Sequence, residues 1–177
     1  MFNTDLLQQP SITPLRPEQV AEAKHVIYTV AHQVFHDRDT LEESIAYYEA
    51  NWTLKDVDDF QHSYVENGGT FLVTTDGGRI IGTGALRRLE DTIGEIKRLW
   101  LLPEYQGRGL GYRMMTRLLA FAREQGYAKI RLETSSSYQA RAYQFYRRMG
   151  FQDIPRFGDD PDDVALELVL SKPPKLY

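Results

Sequence analysis

Between a β-prone run that ends at Leu102 and an amphipathic run that begins at Tyr112 lies a glycine-rich stretch, Gln106-Gly107-Arg108-Gly109-Leu110-Gly111. Glycines at alternate positions let the backbone bend tightly and turn several N–H groups toward one point. A helix that follows adds the N–H groups of its first turn and the positive end of its dipole. The chain must therefore place a strand before this turn and a helix after it, with an anion cradle between them that suits a pyrophosphate. The glycines alternate and no Gly-Lys-Ser/Thr follows, so the stretch is neither the dinucleotide fingerprint nor a P-loop. The bland alternative is a tight strand-to-helix turn that binds nothing.

The flanking periodicities supply the rest of the element order. Residues 12–16 read as a short first strand, and Pro17 opens a helix in which Val20, Ala23, Ile27, Val30 and Val34 keep a helical spacing. Residues 36–68 are irregular and rich in acids and aromatics, with one or two helices stopping at Asn67-Gly68-Gly69. The period then becomes that of strands: residues 70–75, a hairpin turn at Asp76-Gly77-Gly78, residues 79–90, and residues 93–102. After the glycine loop a helix over 112–125 carries Met115, Leu118, Leu119 and Ala122 on one face and stops at Gly126. A strand over 129–133, a helix capped by residues 135–137 and running to Met149, and strands over 151–154 and 164–170 complete the chain. A strand-helix-strand step after an antiparallel meander implies a mixed sheet with helices packed on it.

Composition narrows the classes. The length of 177 residues suits a single domain with a real core. Twenty-one Lys and Arg against 25 Asp and Glu leave a charge of −4, which argues against a nucleic-acid coat protein. The basic pairs Arg87-Arg88, Lys97-Arg98 and Arg147-Arg148 are scattered. The chain has no cysteine, so disulfides, a thiol nucleophile and an acyl-cysteine route are excluded. The first residues carry no secretory pattern and no run reaches the roughly 18 apolar residues of a membrane span. A cytoplasmic protein with no membrane and no nucleic-acid partner is expected. His32 and His36 stand four apart, but no third ligand or His-Glu-x-x-His pattern accompanies them, so no metal is expected.

Three segments together resemble the GCN5-related N-acetyltransferases. Gln106-x-x-Gly109-x-Gly111 is similar to that family's Q/R-x-x-G-x-G/A pyrophosphate loop, and residues 95–105 to its fourth strand. Arg141-Ala142-x-x-Phe145-Tyr146-x-x-Met149-Gly150-Phe151 resembles its R-A-x-x-x-Y-x-x-x-G-F segment. The resemblance covers residues 11–170, between tails at 1–10 and 171–177. It implies the α/β (α+β) acyl-CoA N-acyltransferase fold, a mixed, mostly antiparallel sheet of six to seven strands with about four helices. It also implies acetyl-CoA as co-substrate. Its pyrophosphate would meet Gln106, Gly107, Arg108, Gly109, Leu110, Gly111 and Tyr112. Its pantetheine arm would lie along Leu99, Trp100 and Leu101, with a backbone N–H near Leu101 polarising the thioester carbonyl. Gln139, Ala142 and Tyr146 would complete the donor site. Gln139 departs from the family, which often has Asn there. Some of the paired arginines could meet the 3′-phosphate instead of structural partners.

The resemblance also assigns an acid and a base. A Lys-like amine with pKa near 10.4 is only about one part in 10³ neutral at pH 7, so the enzyme must remove a proton from nitrogen and return one to the leaving thiolate. Glu95, eleven residues before the loop Gln, matches the base; the alternative is an exposed strand carboxylate paired with Lys97 or Arg98. Alternation would put Glu95 and Lys97 on one face unless a bulge intervenes. Tyr146 matches the acid; the alternative is a core tyrosine beside Ala142, Phe145 and Met149. The acids and aromatics of 36–64 and of 159–163 fit a small cationic amine as acceptor, or are simply solvated surface. The expected activity is direct transfer to a small-molecule primary amine in a ternary complex. The alternatives are a non-catalytic acyl-CoA sensor and an enzyme acting on protein lysines or N-termini. The family also admits a homodimer.

Overall fold

Seven strands form one sheet in a computed structural model that describes residues 9–36, 38–51 and 54–170. The strands are β1 (Ser11–Pro14), β2 (Thr70–Asp76), β3 (Arg79–Glu90), β4 (Ile93–Leu101), β5 (Lys129–Ser135), β6 (Gln152–Ile154) and β7 (Asp163–Val169). Their spatial order is β1-β2-β3-β4-β5-β7-β6. Only the β4–β5 pair is parallel among these strands. It is the step that needs a crossover helix, and the glycine loop launches that helix.

Successive residues of a strand face opposite layers, and the core divides accordingly. Val73, Ile81 and Ala85 face α1 (Val20–Phe35), which buries Val26, Ile27 and Val30 against them. On the same side lie α2 (Leu41–Asn51), the short α3 (Lys55–Asp58) and a π-turn at Gln61–Val65. Leu72, Leu86, Ile96 and Ile130 face α4 (Leu110–Glu124), whose Met115, Leu118, Leu119 and Ala122 are buried there as the spacing foretold. The last helix, α5 (Ala140–Arg148), joins that layer through Phe145 and Tyr146. Four helices of nine residues or more thus cover the sheet, and the expected fold class holds.

Several boundaries move for physical reasons. The helix after the glycine loop begins at Leu110, not Tyr112, because Gly109 at φ 77° already serves as its N-cap and Gly111 sits in its first turn. Residues 135–137 do not cap the last helix: Ser135 ends β5, paired with Asp163, and its Oγ takes the Tyr138 amide at 3.2 Å. Gln139 is the N-cap instead. Pro17–Gln19 forms a 3₁₀ turn ahead of α1. Asp37, Trp52 and the termini 1–8 and 171–177 lie outside the described residues. Among the described residues no helix is long and apolar enough to cross a membrane.

Candidate active site

The site is built where β4 leaves β5. Their parallel pairing ends at Glu95↔Arg131, so the edge of β4 beyond Glu95 has no strand beside it on that side. On the other side β3 and β4 are in register at Ala85↔Lys97 and again at Thr83↔Trp100. Gly84 alone therefore opposes Arg98 and Leu99, which makes a β-bulge in β4. Arg98 adopts φ 55°, rare for a side-chain-bearing residue. A cavity of about 780 Å³ opens at the wedge.

Glu95 enters this cavity but is not the exposed strand carboxylate of the alternative reading. It is 5% exposed. Its partners are Arg87, whose Nε donates to Oε2 at 2.8 Å, and Lys97, whose Nζ lies 3.6 Å from Oε1. Arg87, Glu95, Arg131 and Glu167 stand side by side on β3, β4, β5 and β7, a row of alternating charge across the sheet. Arg98 turns to Asp56 in α3, giving Nε and Nη2 to its two oxygens at 2.9 and 2.8 Å. The Tyr64 hydroxyl donates to the same carboxylate. Burial raises the proton affinity of Asp56, but the Arg98 fork outweighs it and holds the carboxyl below its ordinary value.

Tyr146 reaches the cavity from α5, with its ring packed on Phe145 and Phe151 at centroid distances of 5.6 and 6.0 Å. Burial alone pushes its hydroxyl well above the ordinary tyrosine value, so it stays protonated. Leu99, Trp100 and Gln139 also line the cavity. Gln139 is tied down, with its Oε1 accepting from Thr134 Oγ1 at 2.9 Å and from the Ser135 amide at 3.3 Å.

The glycine loop stands outside the cavity lining and joins it through one side chain. Gln106 donates its Nε2 to the Leu101 carbonyl at 3.1 Å and accepts from Arg141 at 3.2 Å, so it ties β4 to α5. Gly107 and Gly109 both take φ 77°, and a Cβ at Gly109 or Gly111 would meet open space. Leu110 is buried and offers only its backbone. Arg108 lies over the Tyr105 ring, and Tyr112 is 59% exposed on α4. Ala142 packs in the core layer rather than lining the cavity.

Sequence reasoning missed part of the lining. Phe35 of α1 and Tyr138 of the β5–α5 turn meet edge to face at 5.6 Å, and both line the cavity. The acidic-aromatic segments contribute unequally. From 36–64 the aromatic Tyr47 and Tyr48 and the amide Asn51 line the cavity, whereas its acids work elsewhere, Asp58 and Glu49 on Lys24 and Asp56 on Arg98. Asp160 and Asp162 of the β6–β7 loop and Asp163, the first residue of β7, line it, together with Glu133. Glu133 pins that loop by accepting from the Phe157 and Gly158 amides at 3.1 and 2.7 Å. Burial, then the neighbouring Asp160 and Glu133, raise the Asp163 carboxyl. Of the basic pairs, Arg87, Arg98 and Arg147 are held by Glu95, Asp56 and Asp153.

A mixed sheet whose one parallel pair parts after Glu95, with a glycine-rich turn opening the following helix, is the arrangement of the acyl-CoA N-acyltransferase fold. The acetyltransferase (GNAT) family model matches residues 38–151, more than half of the chain, and the chain belongs to that family. An IAA acetyltransferase of Azospirillum brasilense is 36% identical over 104 residues, covering 58% of this chain and 67% of the relative. A probable N-acetyltransferase family 8 member 5 of Mus musculus is 31% identical over 63% of this chain, which spans only 51% of that relative. Among solved structures, a GNAT acetyltransferase of Staphylococcus aureus Mu50 superposes with a TM-score of 0.77 over 92% of this chain and 99% of its own, at 20% identity. The PaiA N-acetyltransferase of Thermoplasma acidophilum, solved with coenzyme A, gives 0.77 over 92% and 100%, at 18% identity.

Proposed function

We propose that the chain moves an acetyl group from acetyl-CoA to a primary amine of a small molecule, by direct attack in a ternary complex. The observation that carries this reading is the wedge itself: β4 parts from β5 after Glu95, and the cavity there holds a carboxylate and a protonated phenol. The donor fits the residues present. The open cradle at Gly107–Gly111 suits a pyrophosphate, and the unpaired edge of β4 suits an amide-bearing arm. When bound, acetyl-CoA supplies an acetyl group activated as a thioester.

The chain's own residues do the rest. The first-turn amides of α4 hold negative charge, and the backbone N–H near Leu101 polarises the thioester carbonyl. Arg87 occupies Oε2 of Glu95, which leaves Oε1, with its looser Lys97 contact, to take the amine proton through a water. Tyr146 returns a proton to sulfur. Tyr47 and Tyr48 form an apolar wall and Asp160, Asp162 and Asp163 an acidic one, between which an ammonium with a carbon body is held.

Tyr146→Phe tests the acid role. It removes one oxygen from a packed ring, so binding of acetyl-CoA and the fold are expected to persist while kcat falls on the order of 10². An unchanged kcat would return Tyr146 to the core. The competing sensor reading expects acetyl-CoA binding with no thiol release on any acceptor.

A further inference from the structure

We infer that Asp56, Arg98 and Tyr64 form a latch on the β4 bulge, and that through the bulge they set the affinity for the acyl donor. The inference rests on the donor reading above and names positioning residues for it.

The bulge is the one place where β4 carries an extra residue against the middle of β3, and Arg98 occupies it at φ 55°. An L residue there is strained by about 1–2 kcal/mol and persists only where its surroundings hold it. Two clamps do so. Thr83 Oγ1 donates to the Arg98 carbonyl at 2.6 Å and fixes the backbone. Asp56 takes both arms of the guanidinium, and Tyr64 braces the carboxylate from its other side.

The clamp comes from a separate helical unit. Asp56 lies in α3 and Tyr64 in the π-turn, and their neighbours Leu54, Val57 and Phe60 are buried in the α1-side core. Tyr64 itself packs edge-on against Phe71 at 5.3 Å. The unit is therefore rigid and grips β4 at its single left-handed residue.

The position gives the latch its consequence. Side chains alternate faces along a strand, so one extra residue reverses which face every later residue presents. The bulge falls just beyond the last β4–β5 pair, and Leu99 and Trp100 run from it along the cavity. Closing the bulge would exchange the faces of Leu99, Trp100 and Leu101 and turn the backbone groups of Leu99 and Leu101 away from the wedge. A buried ion pair is a poor source of net stability. Asp56 and Arg98 have side chains only 16% and 13% exposed, and they spend that burial at the bulge.

Titration calorimetry with CoA in the cold, on variants whose near-ultraviolet circular dichroism matches the wild type, tests the latch. Asp56→Asn is expected to weaken CoA binding at least about tenfold. The double exchange Asp56→Asn with Arg98→Gly leaves no unpaired charge and puts Gly where φ is positive. Gly needs no clamp at that φ, so this variant keeps the bulge without the latch and is expected to recover most of the wild-type affinity that Asp56→Asn alone loses. Asp58→Asn, on the same helix as Asp56, removes only the ion pair with Lys24 of α1 and is expected to bind CoA as the wild type does. A merely structural pair would lower the melting temperature and leave the CoA dissociation constant unchanged in the folded variants; that result overturns the latch. Wild-type protein that failed to bind CoA would overturn the donor reading, and the latch with it.

Discussion

Glu95→Gln is expected to lower kcat on the order of 10³ at neutral pH while acetyl-CoA still binds. The exchange keeps the shape of the side chain and an oxygen for Arg87, but removes the charge that accepts a proton. The pH dependence is the sharper sign. At pH 7 only about one part in 10³ of a Lys-like amine is neutral, and each unit of pH raises that fraction about tenfold. A variant without its base depends wholly on amine that is already neutral, so its deficit against wild type narrows as pH rises from 7 toward 9. A deficit that stayed constant with pH would mean that Glu95 serves the site as a rung of the Arg87–Glu95–Arg131 row and not as a base.

Gly69→Ala is expected to destabilise the fold by about 3 kcal/mol or more, a large share of the roughly 5–15 kcal/mol that holds a domain together. A Cβ at Gly69 would stand 1.7 Å from the Leu86 carbonyl oxygen and 2.6 Å from its carbon. Neither side can yield easily. The Gly69 amide donates to Tyr64 at 2.8 Å, the Arg88 amide donates to Asn67 at 2.9 Å, and the Tyr127 hydroxyl donates to Gly68 at 2.7 Å. The exit of the π-turn is thus laid flat on β3. Gly77→Ala is the control. No atom lies within 4 Å of its added carbon, so only φ 55° opposes it, at about 1 kcal/mol. Urea unfolding of the two variants measures the contrast, and equal midpoints would contradict the close approach.

Local signals carried the fold. The change from helical to strand period near Thr70 and the glycines at 77–78, 109 and 126 sit at the turns where the sequence places them, with positive φ at each. The Gln106–Gly111 loop, the strand before it and the Tyr146 segment carry the resemblance to the family. What was not legible depends on register. Glu95 meets Arg87, a partner eight residues away that only the β3–β4 pairing brings alongside, and not Arg98. The bulge that frees Arg98 for Asp56 leaves no composition signal, because an arginine at positive φ looks in sequence like any strand arginine. The helix start at Ala140 was missed because the pairing of Ser135 with Asp163 extends β5 beyond what its own residues announce. The acids of 36–64 were read as one surface, yet Lys24 and Arg98 draw Glu49, Asp58 and Asp56 into the framework, and the cavity's acidic wall comes from the β6–β7 loop, Asp163 and Glu133.

Tyr47, Tyr48 and the aspartates at 160, 162 and 163 line one cavity, and the proposed small-amine acceptor rests on that lining. The most direct measurement is thiol release from acetyl-CoA with separate pools of polyamines, amino acids, aminoglycosides, aryl amines and a lysine peptide. Release with a small-amine pool, and none with the peptide, is the predicted result. Release with the lysine peptide alone, or acetyl-CoA binding with no release in any pool, would contradict it.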